Sequence, residues 1–129
     1  MIAEKNLDLF YGKQVAHVAT LNPDGTIQIS PVWIDYDKSR DLILFNTARG
    51  RKKDRNLKVG SPVAISINDP ANIYRYVAVQ GEVVEITEDG ALDHINQLSK
   101  RYRNQDKYDL PEGQIRMKVY VKPVHTLQR

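Results

Sequence analysis

Alternation of apolar and polar residues with a period of two is the feature of this 129-residue sequence that most restricts its fold. The segment 115–127 (IRMKVYVKPVHTL) alternates almost throughout. Successive side chains of a strand point to opposite faces, so such a segment places its apolar residues on one face of a sheet. The segments 14–21 and 26–34 share the pattern, and Asn22–Gly25 between them favours a tight turn. The sequence therefore predicts an N-terminal β-hairpin and a long C-terminal strand.

Three further apolar segments predict strands at 42–47, 63–67 and 74–86. The last of them has Gly81 in its interior, which indicates a bend or a bulge. Residues 35–41 are polar and predict a turn before the first of these strands. Together with the alternating segments, the sequence predicts about six strands, most of them consecutive along the chain.

Helices occupy a small part of the predicted structure. A helical spacing of apolar residues predicts a short helix near 3–12 and a longer one over 88–102, with Thr87 as the N-cap of the second. The basic segment 49–58 predicts a third helix of about two turns. Few short helices beside six strands favour a mainly β fold, a small antiparallel barrel. We expect residues 1–129 to form a single domain, because this length is sufficient to bury a core.

The composition excludes several kinds of site. The sequence has no cysteine, which rules out disulfides, iron–sulfur ligation and cysteine nucleophiles. The three histidines lack a metal-ligand spacing, and no segment matches a phosphate-binding loop or a nucleophile elbow, so we expect no metal site. No apolar run is long enough to span a bilayer, and acidic residues near the N-terminus argue against a secretory signal. We therefore expect a cytoplasmic protein without a membrane partner.

Positive charge is concentrated in the segment Arg49–Lys58, which contains six basic residues and one acidic residue. It carries +5 whereas the whole chain carries +3, so the other 119 residues together carry −2. Such a cluster favours an anionic partner, which could be nucleic acid, a membrane surface or a phosphorylated small molecule. Arg51 and Arg55 share one face of the predicted helix, and cations in its first turn oppose the helix dipole unless an anion binds there. The segment is therefore a candidate anion site.

Four segments of the sequence resemble those of a known family. They are Gln28–Trp33 (QISPVW), Leu44–Thr47 (LFNT), Gly50–Leu57 (GRKKDRNL) and Pro62–Ile67 (PVAISI). Together they resemble the pyridoxamine 5'-phosphate oxidase-like family of FMN-binding split barrels, and within it the coenzyme F420-dependent subgroup. The basic segment with its Arg-Asn-Leu ending is the specific part of a likeness that extends over nearly the whole chain. The resemblance implies an antiparallel six-stranded split β-barrel that forms a homodimer, with cofactor sites at the subunit interface.

The resemblance also implies where the cofactor would bind. Its ring would lie along one strand, its ribityl chain beside the end of a second strand, and its phosphate at the basic helix. The implied residues are Gln28, Ser30, Pro31, Val32 and Trp33 for the ring, Asn46 and Thr47 for the ribityl chain, and Arg51, Lys53, Arg55 and Asn56 for the phosphate. The region around Tyr102 and Tyr108 of the partner subunit would close the groove. No catalytic residue is assigned, because hydride transfer requires no acid or base from the protein.

The implied function is that of an oxidoreductase. It would transfer a hydride between bound coenzyme F420, a deazaflavin, and an unidentified small organic acceptor. Six basic residues favour this cofactor over FMN, because a phosphodiester with a polyglutamate tail can engage more cations than a single phosphate. The chain lacks the C-terminal substrate-binding extension of true pyridoxamine phosphate oxidases, so oxidation of vitamin B6 is not expected.

Three alternatives stay open on the sequence. The protein could be an FMN-dependent reductase or oxidase of the same family. It could also be a non-catalytic module that binds flavin or heme, because a fold does not determine a function. Nucleic-acid binding through the basic helix is disfavoured, since the basic residues are not interleaved with aromatic ones. We therefore expect a small-molecule substrate and no nucleic-acid partner.

Overall fold

The computed structural model describes the backbone of residues 1–129 and every side chain except those of Lys52 and Lys53. A 3-10 helix (Glu4–Asn6) precedes three α-helices, which are α1 (Asp8–Tyr11), α2 (Lys52–Asn56) and α3 (Ala91–Arg103). The strands are β1 (Ala16–Leu21), β2 (Ile27–Val32), β3 (Ile34–Asp37), β4 (Leu42–Ala48), β5 (Pro62–Asp69), β6 (Asn72–Thr87) and β7 (Arg116–Gln128). None of the described helices has the length and apolar character needed to cross a bilayer.

All seven strands belong to one antiparallel sheet in the order β2-β1-β5-β6-β7-β4-β3. β2 and β3 therefore lie at opposite edges of the sheet, yet only Trp33 separates them in the chain. Since consecutive Cα atoms are about 3.8 Å apart, the two edges must approach each other at this residue. The sheet consequently curls into a barrel that is left open between β2 and β3. The antiparallel split barrel expected from the sequence is confirmed.

The number of strands differs from the prediction because the segment 26–34 is not one strand. β2 ends at Val32, which pairs with Ala16 of β1, whereas β3 begins at Ile34, which pairs with Phe45 of β4. The chain changes its hydrogen-bonding partner at Trp33, so one predicted strand becomes two. β3 also takes in residues 35–37 of the predicted turn, and the sheet has seven strands rather than six.

The interior of the barrel holds the main apolar core. The largest of its fully buried side chains come from α1 and from strands on several sides of the barrel; they include Leu9, Phe10, Ile34, Ile43, Phe45 and Val119. β4 is buried along its whole length. One of its faces lines the core, and α3 packs near its other face, where the Asn46 side chain contacts Ala91. α3 therefore lies outside the barrel beside the end of β4.

Two local predictions are confirmed and one is wrong. The turn between β1 and β2 is stabilised by the Asp24 carboxylate, which accepts a hydrogen bond from the backbone N–H of Thr26 at 3.0 Å. The β6–β7 register shifts between Gln80 and Gly81, as expected of a bulge. Thr87, in contrast, is not the N-cap of α3 because the helix begins three residues later, after Gly90. The Thr87 hydroxyl accepts a hydrogen bond from the N–H of Asp89 in the preceding turn.

Candidate functional site

A cleft of about 450 Å³ lies beside the connection between β2 and β3. It is bounded by the ends of β2 and β4, by one side of α3, by the loop after α3 and by the first residue of β7. Its lining consists of Val15, Pro31, Val32, Trp33, Asn46, Thr47, Arg51, Ile95, Leu98, Arg103, Tyr108, Asp109 and Arg116. A volume of this size is typical of sites for small molecules and cofactors.

The cleft is rich in positive charge. Three guanidinium groups line it, from Arg51, Arg103 and Arg116, against a single carboxylate from Asp109. Arg116 is only 7% exposed, and the structure gives it no ion pair with a described carboxylate. Burial lowers the pKa of Arg116; the charge and hydrogen bond of Tyr108 act in the opposite direction, and the charge of Arg51 lowers the pKa further. An anion bound in the cleft would offset this unfavourable burial of positive charge.

A buried chain of polar side chains extends from Arg116 away from the cleft. The Arg116 Nε donates to Asn46 Oδ1 at 2.7 Å. The Asn46 amide nitrogen donates to the carbonyl of Ala91 at 2.8 Å and lies 3.3 Å from His94 Nδ1. The other ring nitrogen of His94 lies 3.0 Å from Asp35 Oδ2. These contacts join β7, β4, α3 and β3 at one end of the barrel.

One hydroxyl in the cleft lining is buried without a hydrogen-bond partner among the described residues. Thr47 is 2% exposed, and its Oγ1 forms no hydrogen bond with any side chain or backbone group that the structure describes. Burying a hydroxyl in this way costs about 1–3 kcal/mol. An unpartnered polar atom in a site lining is the feature expected where a ligand supplies the missing hydrogen bond.

Aromatic side chains form one wall of the cleft. The rings of Trp33 and Tyr102 stack with centroids 5.2 Å apart, and Tyr108 meets Trp33 edge-on at 6.2 Å. The guanidinium of Arg103 lies 5.4 Å from the centre of the Trp33 ring. The Tyr102 hydroxyl donates to the carbonyl of Gln14 at 2.6 Å, and burial raises the pKa of Tyr102. This wall is held in place within one chain.

Tyr102 and Tyr108 both pack on Trp33 of their own chain, and Tyr108 lines the same cleft as Trp33. α3 folds back across the β2–β3 connection, where the Tyr102 hydroxyl also accepts a hydrogen bond from the N–H of Ile34 at 3.1 Å. Closure of the groove by the same region of a partner subunit stays a prediction.

The structure brings six of the eleven predicted cofactor residues into the cleft lining. These are Pro31, Val32, Trp33, Asn46, Thr47 and Arg51. Gln28 and Ser30 lie earlier on β2, on the same side as Val32, and outside the cleft lining. The side chain of Lys53 lies outside the part of the chain that the structure describes.

The other two predicted phosphate residues lie on α2, away from the cleft lining. Arg55 is exposed, whereas the Asn56 amide donates to Thr20 Oγ1 at 3.1 Å and to Asn22 Oδ1 at 2.8 Å. Asn56 therefore ties α2 to the β1–β2 hairpin. The helix itself has five residues rather than the predicted two turns, and the Asp54 carboxylate accepts a hydrogen bond from the N–H of Gly50 at 2.7 Å. A helix of five residues has a weak macrodipole, so the dipole contributes little to an anion site there.

Sequence reasoning missed Arg116, Arg103 and Asp109. Arg116 could have been noticed, because in the alternating segment 115–127 it shares one strand face with Lys118 and Tyr120. Tyr120 is buried, so the same face is covered by other parts of the chain near Arg116. Arg103 ends α3 and Asp109 lies in the loop after it, and no pattern in the sequence relates them to β2 or β4.

Metal binding has no support from the described side chains. Among them, no group of three or more histidine, aspartate or glutamate residues is arranged so that it could hold a metal ion. His94 is engaged by Asp35 and Asn46, which belong to the polar chain behind Arg116.

The curled antiparallel sheet defines a split-barrel protein, with a cationic, aromatic-walled cleft at the β2–β3 connection. Residues 2–125 match the family model of pyridoxamine 5'-phosphate oxidase. The match covers nearly the whole chain, and the protein belongs to this family.

Solved structures extend the comparison. An F420 reductase is 30% identical with a TM-score of 0.84, over 99% of this chain and 100% of that one. A conserved hypothetical protein from Mycobacterium tuberculosis is 19% identical with a TM-score of 0.71, over 98% and 83% of the two chains. An FAD and heme binding protein from Mycobacterium smegmatis is 16% identical with a TM-score of 0.66, over 96% and 68%. The last two similarities concern the fold alone. None of the curated proteins matches this chain in sequence.

Proposed function

We propose that this protein is an oxidoreductase that binds coenzyme F420 in the cleft and transfers a hydride between this deazaflavin and a small organic acceptor. The observation that carries the proposal is the cleft itself, in which buried positive charge and an unpartnered hydroxyl lie beside an aromatic wall. The 30% identity to an F420 reductase over both full chains supports the choice of cofactor.

The residues of the cleft fit a flavin-type cofactor. Such a molecule combines a flat ring system with a polyhydroxylated chain and a phosphate. Arg51 offers the phosphate charge-assisted hydrogen bonds, which are stronger than neutral ones. The Thr47 hydroxyl has no described partner and can bond to a hydroxyl of the chain. Trp33 and Tyr108 provide flat apolar surface for a ring.

When bound, the cofactor would supply the hydride chemistry, and the protein would bind, orient and shield it. Ile95 and Leu98 of α3 are buried and line the cleft, so they exclude water from its inner side. Trp33 is fixed by its stack on Tyr102, whose hydroxyl is bonded to the backbone at two points. A rigid wall of this kind orients a ring without a cost in side-chain ordering.

Titration of the cofactor-free protein with coenzyme F420 and with FMN tests the proposal. Trp33, the only tryptophan, lines the cleft, so quenching of its fluorescence reports binding. We expect coenzyme F420 to bind at micromolar concentration or below, and Arg51→Ala to weaken its binding about tenfold. Lys38→Ala is the matched control, because Lys38 is an exposed cation that pairs with Glu4 away from the cleft.

Each outcome of this titration has a distinct meaning. Tighter binding of FMN would replace the deazaflavin by a flavin and make the protein an FMN-dependent reductase or oxidase. Binding without reduction of any hydride acceptor would favour a module that only carries its ligand. Failure of both compounds to bind the unmodified protein would contradict the proposed function.

The proposal includes a homodimer, which the outer face of the sheet supports. Small residues of three neighbouring strands form the floor of a shallow depression of about 430 Å³, among them Ala19, Ala64 and Ala78. Ile29 and Leu127 also line the depression, and they are 64% and 50% exposed. A continuous apolar surface on a sheet face is typical of a protein–protein interface. A second copy of the chain would cover it, and the cofactor sites would then lie at the interface.

The oligomeric state of two matched variants tests this part of the proposal. Ile29→Glu places a charge on the outer face, whereas Ile73→Glu places one on an equally exposed isoleucine at the start of β6. We expect the unmodified protein and Ile73→Glu to sediment as dimers, and Ile29→Glu to sediment as a monomer. A monomeric unmodified protein at micromolar concentration would contradict the dimer.

A further inference from the structure

We propose that Arg116 is a second phosphate-binding residue of the cleft, acting together with Arg51, and that Asn46, His94 and Asp35 are positioning residues that hold its guanidinium there. The inference rests on the proposed function, because the phosphate is that of the cofactor. It assigns a ligand contact to the start of β7 and a role to the histidine of α3.

Arg116 has hydrogen-bonding capacity left for a ligand. A guanidinium carries five N–H groups. The Nε donates to Asn46 at 2.7 Å and Nη1 donates to Gln114 at 3.1 Å. The guanidinium also lies 5.0 Å from the centre of the Tyr108 ring and forms a hydrogen bond with the Tyr108 side chain. Two of the five N–H groups of this nearly buried cation are therefore left for a ligand in a cleft that Arg51 also lines.

The charges around Arg116 favour a bound anion. The guanidinium groups of Arg51 and Arg116 line the same cleft and repel each other, and the charge of Arg51 lowers the pKa of Arg116. Two cations in one small cleft are stabilised when an anion lies between them. Asp109 is the carboxylate in the described cleft lining, and it forms no ion pair with Arg116. A phosphate offers several acceptor oxygens and can bond to both guanidinium groups.

The orientation of the Asn46 amide is determined by its neighbours. Its oxygen must face Arg116 Nε, which can only donate, and its nitrogen must face the carbonyl of Ala91, which can only accept. The same nitrogen lies 3.3 Å from His94 Nδ1. Asn46 therefore contacts the guanidinium of Arg116 through its amide oxygen alone.

The tautomer of His94 follows from this orientation. Because the Asn46 nitrogen is a donor, His94 Nδ1 must accept, and the ring proton resides on Nε2. That proton is donated to Asp35 Oδ2 at 3.0 Å. The other oxygen of Asp35 accepts from Arg101 Nη2 at 2.8 Å, and Arg101 Nη1 donates to two backbone carbonyls. The polar chain thus ends on a fixed anchor between β3 and α3.

The test measures the contribution of the phosphate to binding. For each variant, the Kd of the preferred cofactor is compared with the Kd of the same ring compound without its phosphate, such as FMN with riboflavin. The phosphate ratio, defined as the Kd of the phosphate-free compound divided by the Kd of the cofactor, isolates the phosphate contacts from the ring contacts. We expect Arg116→Gln to lower this ratio about tenfold and to leave binding of the phosphate-free compound within about twofold. Arg116→Lys, which keeps the charge but not the Nε contact, should lower it less.

A double-mutant cycle tests the positioning role. His94→Phe should lower the phosphate ratio about threefold in the unmodified protein and have no effect on it in the Arg116→Gln background. His94→Asn retains an acceptor near the position of Nδ1 and should restore part of the ratio. A residue that only supported the fold would alter the binding of both compounds equally and would act in both backgrounds.

The possible results distinguish a failure of this inference from a failure of the proposed function. Cofactor binding with an unchanged phosphate ratio in both Arg116 variants would overturn the inference and leave the proposed function intact. An effect of His94→Phe that persists without Arg116 would overturn the positioning role. Failure of the unmodified protein to bind any ring compound would overturn both the inference and the function.

Discussion

Replacement of Thr47 by valine should stabilise the cofactor-free protein and weaken cofactor binding. The two side chains have nearly the same shape, so the change removes the hydroxyl without leaving a cavity. Thr47 is 2% exposed and its Oγ1 has no partner among the described residues. The free energy of unfolding should therefore rise by about 1–2 kcal/mol, which is the lower part of the range for the desolvation cost of a buried hydroxyl without a hydrogen bond.

The corresponding change in melting temperature can be worked out from the length of the chain. At about 2.1 cal/mol/K per residue, 129 residues have an unfolding entropy of about 0.27 kcal/mol/K. The Tm of Thr47→Val should then rise by about 4–7 °C, as measured by circular dichroism or calorimetry without cofactor. In the same variant, loss of a hydrogen bond to the ligand should weaken cofactor binding about fivefold.

Thr20→Val is the matched control. Thr20 is also 2% exposed, but its hydroxyl accepts a hydrogen bond from the Asn56 amide at 3.1 Å and donates to Gln28 Oε1 at 3.4 Å. This variant should be less stable than the unmodified protein by about 1 kcal/mol. Destabilisation of Thr47→Val, or equal effects of the two substitutions, would refute the reasoning that the Thr47 hydroxyl lacks a partner until a ligand binds.

Three other substitutions test the fold and its electrostatics. Asp35→Asn should lower the free energy of unfolding by about 2–4 kcal/mol in urea titrations, because it removes the charge that a partly buried arginine pairs with. Gly81→Ala should lower it by about 1–3 kcal/mol, since the added Cβ would lie 2.5 Å from Val121 Cγ1; an unchanged midpoint would contradict the close packing at the bulge. The hydrogen bond from Arg75 holds the pKa of Asp8 below its ordinary value of 3.8. The ionised Asp8 carboxylate therefore stabilises the fold above about pH 3.8, and this stabilisation is lost as the pH falls through the pKa that Asp8 has in the folded protein. Arg75→Gln should therefore lose less stability than the unmodified protein on acidification from about pH 5 to about pH 2.

The candidate site shows which of its residues the sequence could predict. Pro31 to Trp33 and the pair Asn46 and Thr47 were predicted and do line one cleft. Each group is consecutive in the chain, at the end of a strand, so the resemblance could place it as a unit. Arg116 was missed because it is 69 or more residues from these groups and reaches them only through the pairing of β4 with β7. Asn56 was predicted as a phosphate contact, but its amide is used by the β1–β2 hairpin.

The sequence by itself determined the local structure of this protein. Alternation defined the strands, Asn22–Gly25 the first hairpin and Gly81 the bulge, because each of these depends on residues that are neighbours in the chain. Only the tertiary structure decided that the segment 26–34 divides at Trp33, and that a guanidinium from β7 lines one cleft with residues of β4 and with Arg51. The period of a segment shows which side chains share a face, but the order of strands in the curled sheet decides which faces meet.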